Sequence, residues 1–211
     1  MSRAPAKLRD LVSGRPLPSL RMSEAKFLDW TTEDTRAEWV NGKVELHEPA
    51  STRVVELRGW LLTVLRIYAS ERRLGEVMTS PAMVRMRRTK SLRIPDLYFV
   101  AAKRRSLQRT YFLAGPPDLI IEIVARDSMA RDWREKYLEY QAAGVKEYWI
   151  VDPLHERFQA YVLRSRGYAE IVERDSRVAS SVLRGLYIEP RSLWQDPLPS
   201  ELKVLRDLGV P

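Results

Sequence analysis

A short apolar segment that contains a single glutamate, Asp118-Leu-Ile-Ile-Glu122-Ile-Val-Ala125, constrains the fold of this chain most strongly. Its residues favour a strand, and the strand period of two places Glu122 on the same face as Ile120, while the opposite face is wholly apolar. Burying a carboxylate in such a strand is costly unless it meets a cation, a hydrogen-bond network or a metal ion. Glu122 therefore requires a partner from elsewhere in the fold.

Similar strand-forming segments lie on both sides of this one and are bounded by Pro, Gly or charged turns. They are residues 77–80, 82–86, 92–101, 147–152, 158–164 and 169–173. Segments 54–68 and 129–143 have apolar residues at spacings of three and four, which are typical of helices. Ser23 is expected to cap a further short helix, and Asn41-Gly42 to form the turn of a hairpin. This order predicts an α/β (α+β) fold with a mixed central β-sheet flanked by helices.

The length of 211 residues, 45% of them hydrophobic, predicts one domain. We expect a basic mobile tail over residues 1–20, the domain over 21–195 and a proline-rich C-terminal tail over 196–211. The chain has no cysteine, which excludes disulfides and thiolate chemistry and suits a reducing compartment. Because no segment reaches signal-peptide or membrane-spanning length, we expect a cytoplasmic protein that does not bind a membrane.

The chain is basic, with 36 Lys and Arg against 28 Asp and Glu and a formal net charge of +8. This sign favours polyanionic partners through long-range attraction and counterion release. It does not by itself specify a nucleic-acid partner, because many basic proteins bind none.

A second carboxylate and a lysine complete a candidate catalytic set. Asp96 begins an apolar run after Pro95, which has no backbone N–H and suits a strand start. Asp96 and Glu122 would converge if their two strands were neighbours. Lys136 lies on the flank of the second predicted helix and can extend along the sheet towards them. Two carboxylates suit Mg²⁺, and a nearby lysine can orient a water or stabilise charge on a phosphate.

Structural explanations for the same residues stay open. Asp132 and Lys136 could form a surface ion pair four residues apart on a helix. Glu122 could be a core carboxylate paired with an arginine. A Ser-His-Asp hydrolase is not expected, because neither His47 nor His155 has a serine nucleophile motif nearby.

Several motifs together resemble the bacterial Uma-two family, which is described as restriction-endonuclease-like within the PD-(D/E)XK nuclease superfamily. The order of these motifs is more specific than any one of them, and the resemblance covers roughly residues 22 to 195. The motifs are Glu38-Trp-Val-Asn-Gly42, Pro95-Asp96, Gly115-Pro-Pro-Asp-Leu-Ile-Ile-Glu122, Asp132-x-x-x-Lys136-x-x-x-Tyr140, Gly144-Val-Lys-Glu-Tyr-Trp-Ile-Val-Asp-Pro153 and Leu183-Arg-Gly185-Leu186.

The resemblance implies an endonuclease that depends on Mg²⁺ or Mn²⁺ and acts on DNA. It implies that Asp96 and Glu122 are metal ligands, and that Glu38 is an additional acidic ligand. Lys136 would replace the catalytic lysine that normally lies two residues beyond the glutamate, where this chain has Val124. Members of the superfamily often pair to cut two strands, which implies a homodimer.

Two alternatives from other functional classes accompany this hypothesis. One is a catalytically inactive nuclease-like module that binds nucleic acid or protein. The other is an interaction domain in which the carboxylates and the lysine only organise the core.

Overall fold

The computed structural model describes residues 20–32, 35–47, 49–125 and 131–211, without the side chains of Arg131 and Asp132. The predicted N-terminal tail lies outside the described residues apart from Leu20. The start of the second predicted helix, residues 129–130, also lies outside them.

Helices form where the sequence predicts them, and one more forms at the C-terminal end. Ser23 caps the first helix, because its Oγ accepts a hydrogen bond of 3.2 Å from the Lys26 amide. The third helix, Tyr137–Ala143, follows a π-helical segment, Arg131–Lys136. It is capped by Gly144, whose φ of 90° suits glycine. None of the described helices is long and apolar enough to cross a membrane. The α-helices are α1 (Glu24–Trp30), α2 (Thr52–Glu71), α3 (Tyr137–Ala143) and α4 (Glu201–Asp207).

The strands of the described residues form a central sheet, a second large sheet and a small two-stranded one. They are β1 (Leu20–Arg21), β2 (Ala37–Val40), β3 (Lys43–Leu46), β4 (Gly75–Thr79), β5 (Met83–Met86), β6 (Ser91–Arg93), β7 (Leu97–Ala101), β8 (Phe112–Leu113), β9 (Leu119–Ile123), β10 (Glu147–Asp152), β11 (Arg157–Arg164), β12 (Gly167–Glu170), β13 (Val178–Ala179) and β14 (Tyr187–Ile188). The central sheet has the order β12-β11-β10-β9-β7-β4 and the second sheet the order β1-β3-β2-β6-β5-β8. Only β9 and β10 run parallel in the central sheet, which is therefore mixed, as predicted.

Helices cover both faces of the central sheet. Leu119, Ile121 and Ile123 of β9 pack into the core that contains the buried face of α2. Ile120, on the opposite face of the strand, packs in a second core together with Tyr140 of α3. The predicted division of β9 into two faces is confirmed, and Glu122 lies on the α3 side.

The predicted strand over residues 92–101 is wrong, because the structure has two strands there. β6 belongs to the second sheet and β7 to the central sheet. Pro95 lies between them and cannot donate a backbone hydrogen bond to either ladder. The chain therefore changes sheets over Ile94, Pro95 and Asp96, and Asp96 lies immediately before β7.

The C-terminal segment 196–211, which was predicted to be a proline-rich tail, packs against the domain and adds apolar residues to its core. Leu205, Leu208 and Val210 are buried in the same core as α2. The Trp60 indole donates a hydrogen bond of 2.7 Å to the Pro199 carbonyl. The sequence interpretation rested on the prolines of this segment. It gave no weight to the three apolar residues that follow them, of which Leu205 lies in α4 and the other two come directly after it.

Leu205→Ala is expected to lower the free energy of unfolding by about 2–5 kcal/mol, because truncating a buried leucine leaves a cavity. Leu202→Ala on the same helix is the matched control, since Leu202 is 62% exposed and should change stability by less than about 0.5 kcal/mol. Urea denaturation of both variants measures the difference. Equal effects would mean that α4 does not contribute to the core.

Candidate active site

Asp96 and Glu122 lie next to each other at one end of the central sheet. β7 and β9 are antiparallel neighbours with Leu97 opposite Ile121, so one further step places Asp96 opposite Glu122. The Ile123 amide donates a hydrogen bond of 2.7 Å to Asp96 Oδ2. The pairing of β7 with β9 therefore brings Asp96 and Glu122 together, as the sequence analysis required.

Glu122 is buried and held by two donors from α3 and the turn before it. Its residue surface is only 3% exposed. Lys136 Nζ lies 2.9 Å from Glu122 Oε1, and the Tyr140 hydroxyl donates a hydrogen bond of 2.6 Å to the same oxygen. These contacts supply the partners that a carboxylate in an apolar strand requires.

Lys136 is buried, with 2% of its surface exposed, so it is not a surface residue. It ends the π-helical segment, and Tyr140 lies one helical turn later, so both side chains reach the same side of the sheet. Single π-helical turns within helices occur frequently at functional sites. The Asp132 side chain lies outside the described residues, but the burial of Lys136 does not fit the surface ion pair considered above.

Tyr140 is a site residue to which the sequence analysis gave no catalytic or metal-binding role. Its ring is fully buried and packs edge-on against Tyr148 at a centroid distance of 5.1 Å. Burial, together with the negative charges of Glu122 and Glu38, raises the pKa of Tyr140 well above its usual value. The phenol therefore stays protonated and remains a donor to Glu122. Its position four residues after Lys136 was the available sequence signal.

Asp96 is held by contacts with three elements of the fold. Its Oδ1 forms an ion pair with Arg58 Nη2 of α2. Its backbone carbonyl accepts hydrogen bonds from the Thr79 hydroxyl at 2.9 Å and from the Ser80 amide at 3.1 Å. Arg58 was also missed from the sequence, because a charged residue outside the apolar stripe of a predicted helix is typical of a solvated face.

Glu38 is fully buried beside this site. Its Oε1 accepts a hydrogen bond of 2.7 Å from the Ile94 amide, and its Oε2 accepts one of 2.9 Å from Arg93. His47 Nε2 lies 3.3 Å from Oε2. Burial acts to raise the pKa of Glu38, but the charges of Lys136 and Arg93 and the hydrogen bond with His47 outweigh it and hold the pKa well below its usual value. Glu38 is thus ionised, and its role as an additional metal ligand stays a prediction.

Arg93 connects the second sheet to α3 through a buried ion network. The residue is 1% exposed, and its guanidinium lies between three carboxylates. Nη1 donates hydrogen bonds of 2.9 Å to both Glu38 and Glu45, and Nη2 donates one of 2.5 Å to Glu139. The network fixes α3, which carries Tyr140 and directly follows Lys136, relative to β2, β3 and β6.

The donor set at Asp96 and Glu122 fits Mg²⁺ in chemical type. Mg²⁺ takes oxygen ligands, and is usually bound by one or two carboxylates together with waters and substrate phosphates. Among the residues that the structure describes, no group of three or more His, Asp or Glu side chains is arranged to hold a metal ion. A pair of carboxylate ligands, with water and substrate phosphate at the remaining coordination positions of the ion, agrees both with the ligand preference of Mg²⁺ and with the absence of a group of three ligands among the described residues.

Comparison with known proteins gives a fold relative and a family. The fold is similar to the crystal structure of a putative nuclease belonging to DUF820 from Anabaena variabilis ATCC 29413, with a TM-score of 0.71 and 16% sequence identity over 82% of this chain and 97% of that chain. No curated protein matches the chain significantly. The model of the Uma2 family, described as "Putative restriction endonuclease", matches residues 24–190 and spans Asp96, Glu122 and Lys136. The resemblance seen in the sequence motifs is therefore confirmed, and the chain belongs to the Uma2 family.

Proposed function

We propose that the protein is a Mg²⁺-dependent endonuclease that hydrolyses phosphodiester bonds in DNA. The observation that carries this proposal is the convergence of Asp96 and Glu122 on neighbouring strands, with Lys136 Nζ 2.9 Å from Glu122 Oε1. Two carboxylates and an amine at one sheet end are the groups that metal-assisted phosphate hydrolysis uses.

Asp96 and Glu122 would hold the ion, and Mn²⁺, which prefers the same oxygen ligands, would replace Mg²⁺. When bound, the ion polarises a phosphate oxygen and lowers the pKa of a water that it coordinates. Glu122 lies on β9, Asp96 lies directly before the neighbouring strand β7, and the Ile123 amide binds Asp96 Oδ2, so the sheet itself keeps the two carboxylates in position.

Lys136 would act on the reacting groups through its ammonium. Its contact with Glu122 fixes the amine beside the carboxylates, where it can orient the attacking water or stabilise negative charge on the phosphate. The water oxygen forms the new bond to phosphorus while the bond to the leaving oxygen breaks, in line and without a covalent enzyme intermediate.

The DNA substrate and a homodimeric assembly belong to the same proposal. The family description supports DNA as the substrate, and the net charge of +8 agrees with it, because a basic protein attracts a polyanion. Two chains would supply the two sites needed to cut both strands of a duplex. Nicked plasmid that accumulates before linear plasmid would indicate single-strand cuts, and linear plasmid formed directly would indicate paired cuts by two chains.

Purified protein incubated with supercoiled plasmid is expected to cleave it with Mg²⁺ or Mn²⁺ and not with EDTA. Lys136→Met, which removes the charge and keeps much of the side-chain volume, should slow cleavage by about 10²–10³-fold. Lys146→Met is the matched control, because Lys146 forms its 2.6 Å ion pair with Asp118 at the other end of the sheet. It should cleave as the wild-type protein does.

Cleavage that is absent with every divalent ion would reject the nuclease and favour a nuclease-like module that binds without catalysis. Equal rates for Lys136→Met and Lys146→Met would remove Lys136 from the mechanism. Circular dichroism of each variant shows whether it is folded before its rate is compared.

A further inference from the structure

Arg58 of α2 contacts the candidate metal ligand Asp96, but the proposed reaction gives Arg58 no role. Its Nη2 forms an ion pair with Asp96 Oδ1, and its side chain is 22% exposed. Its Nε is buried and has no hydrogen-bond partner among the described residues. A charged guanidinium thus lies against a candidate metal ligand with one of its donors unsatisfied.

Two other arginines, Arg53 at the start of α2 and Arg72 directly after its end, have contacts that explain their positions. Arg53 binds Glu56 and the backbone carbonyls of Leu193 and Gln195, and Arg72 binds the Leu208 carbonyl. These contacts fasten the C-terminal segment to the helix. Arg58 instead extends to the end of the sheet where Asp96 and Glu122 meet.

The chemistry of arginine allows a change of partner at this place. Its planar fork of five N–H donors matches carboxylates and phosphates equally well, and it does not lose its proton in proteins. A buried donor without a partner is unfavourable, and such groups in native structures call for an explanation. A phosphate oxygen that arrives with the substrate would supply the missing acceptor.

A metal ion and Arg58 would also compete for the same carboxylate. Both are cations, and both would bind Asp96 at short range, where like charges repel. A metal ion held by Asp96 would therefore weaken the ion pair between Asp96 and Arg58. The side chain is then available at the site at the moment when the phosphate binds.

We propose that Arg58 is a catalytic residue that pairs with Asp96 in the metal-free protein and binds the phosphate of the cleaved strand once Asp96 holds the metal. This inference rests on the proposed nuclease function. Arg58 transfers no proton in it. Its guanidinium stabilises the negative charge that develops on the phosphate oxygens, in addition to the charge stabilisation that Lys136 supplies.

The test measures two quantities that should change in opposite directions. Arg58→Met should bind Mn²⁺ about fivefold more tightly in the absence of DNA, because a competing ion pair of about 1 kcal/mol is removed. At saturating Mn²⁺ it should cleave plasmid about 10²–10³-fold more slowly. Mn²⁺ affinity is read by electron paramagnetic resonance of the free ion. Arg58→Gln is measured in parallel, so that the result does not depend on one variant folding.

Arg66→Met is the matched control, because Arg66 is an exposed arginine on the same helix and its loss changes the net charge equally. It should leave both Mn²⁺ affinity and cleavage rate at the wild-type values. Weaker or unchanged Mn²⁺ binding by both Arg58 variants, or cleavage as fast as that of Arg66→Met, would overturn the role of Arg58. Wild-type protein that neither binds Mn²⁺ nor cleaves DNA would reject the nuclease function itself, so the two failures are distinguishable.

Discussion

Glu122→Gln is expected to remove metal-dependent cleavage, with a rate loss of about 10³-fold or more, because a bound metal contributes several kcal/mol of charge stabilisation. The amide has nearly the same shape, and its oxygen can still accept hydrogen bonds from Tyr140 and Lys136. It lacks the negative charge that a divalent cation requires. The folded variant should therefore neither bind Mn²⁺ in a titration nor cleave plasmid.

Glu147→Gln separates this effect from the general loss of a buried carboxylate. Glu147 is fully buried in the adjacent strand β10, where it accepts hydrogen bonds of 2.6 Å from the Trp149 indole and 3.0 Å from the Val182 amide. Its replacement should lower thermal stability and leave Mn²⁺ affinity unchanged. Retained Mn²⁺ binding in Glu122→Gln, or an equal loss in both variants, would show that Glu122 is not a metal ligand.

Arg93→Met is expected to lower the free energy of unfolding by about 3–5 kcal/mol, because removing one partner leaves buried charges uncompensated. Arg93 contacts Glu38, Glu45 and Glu139, and these carboxylates repel each other once its charge is lost. Urea denaturation measures the loss. Arg177→Met is the control, since the Arg177–Glu189 pair is half exposed on both sides and should contribute less than about 1 kcal/mol.

Adding Glu38→Gln to Arg93→Met should restore part of the lost stability, because one of the repelling charges disappears.

The dependence of stability on pH has a defined sign at Glu38. The pKa of Glu38 is held well below its usual 4.5, so its contribution to stability is present above that pH and is lost as the pH falls through the lower folded pKa. In Arg93→Met this acid loss should be smaller. An unchanged acid profile, or a double variant less stable than Arg93→Met, would contradict the charge network.

Local sequence patterns determined much of the architecture. Asn41-Gly42 predicted the hairpin, and the structure has positive φ at both residues, with values of 47° and 87°. The second predicted helix, 129–143, ends at the same residue as α3, and the alternation around Glu122 predicted which face of the strand it occupies. These features depend on neighbours within one helical turn or one strand, which a sequence displays directly. Asp96, Glu122 and Lys136 were named from the same patterns, and the structure brings them together.

The tertiary structure decided which distant groups meet. Arg58 and Asp96 are 38 residues apart, and Arg93 and Glu139 are 46 apart, so no local period encodes either contact. Pro95 marked a possible break in the segment 92–101, but the sequence did not show that its two halves belong to different sheets, a change that places Asp96 beside Glu122. A sequence specifies which residues need partners, as the buried carboxylate of Glu122 does. The identity of the partner depends on the packing of the elements, because the free energy of a buried charge is set by whichever groups surround it in three dimensions.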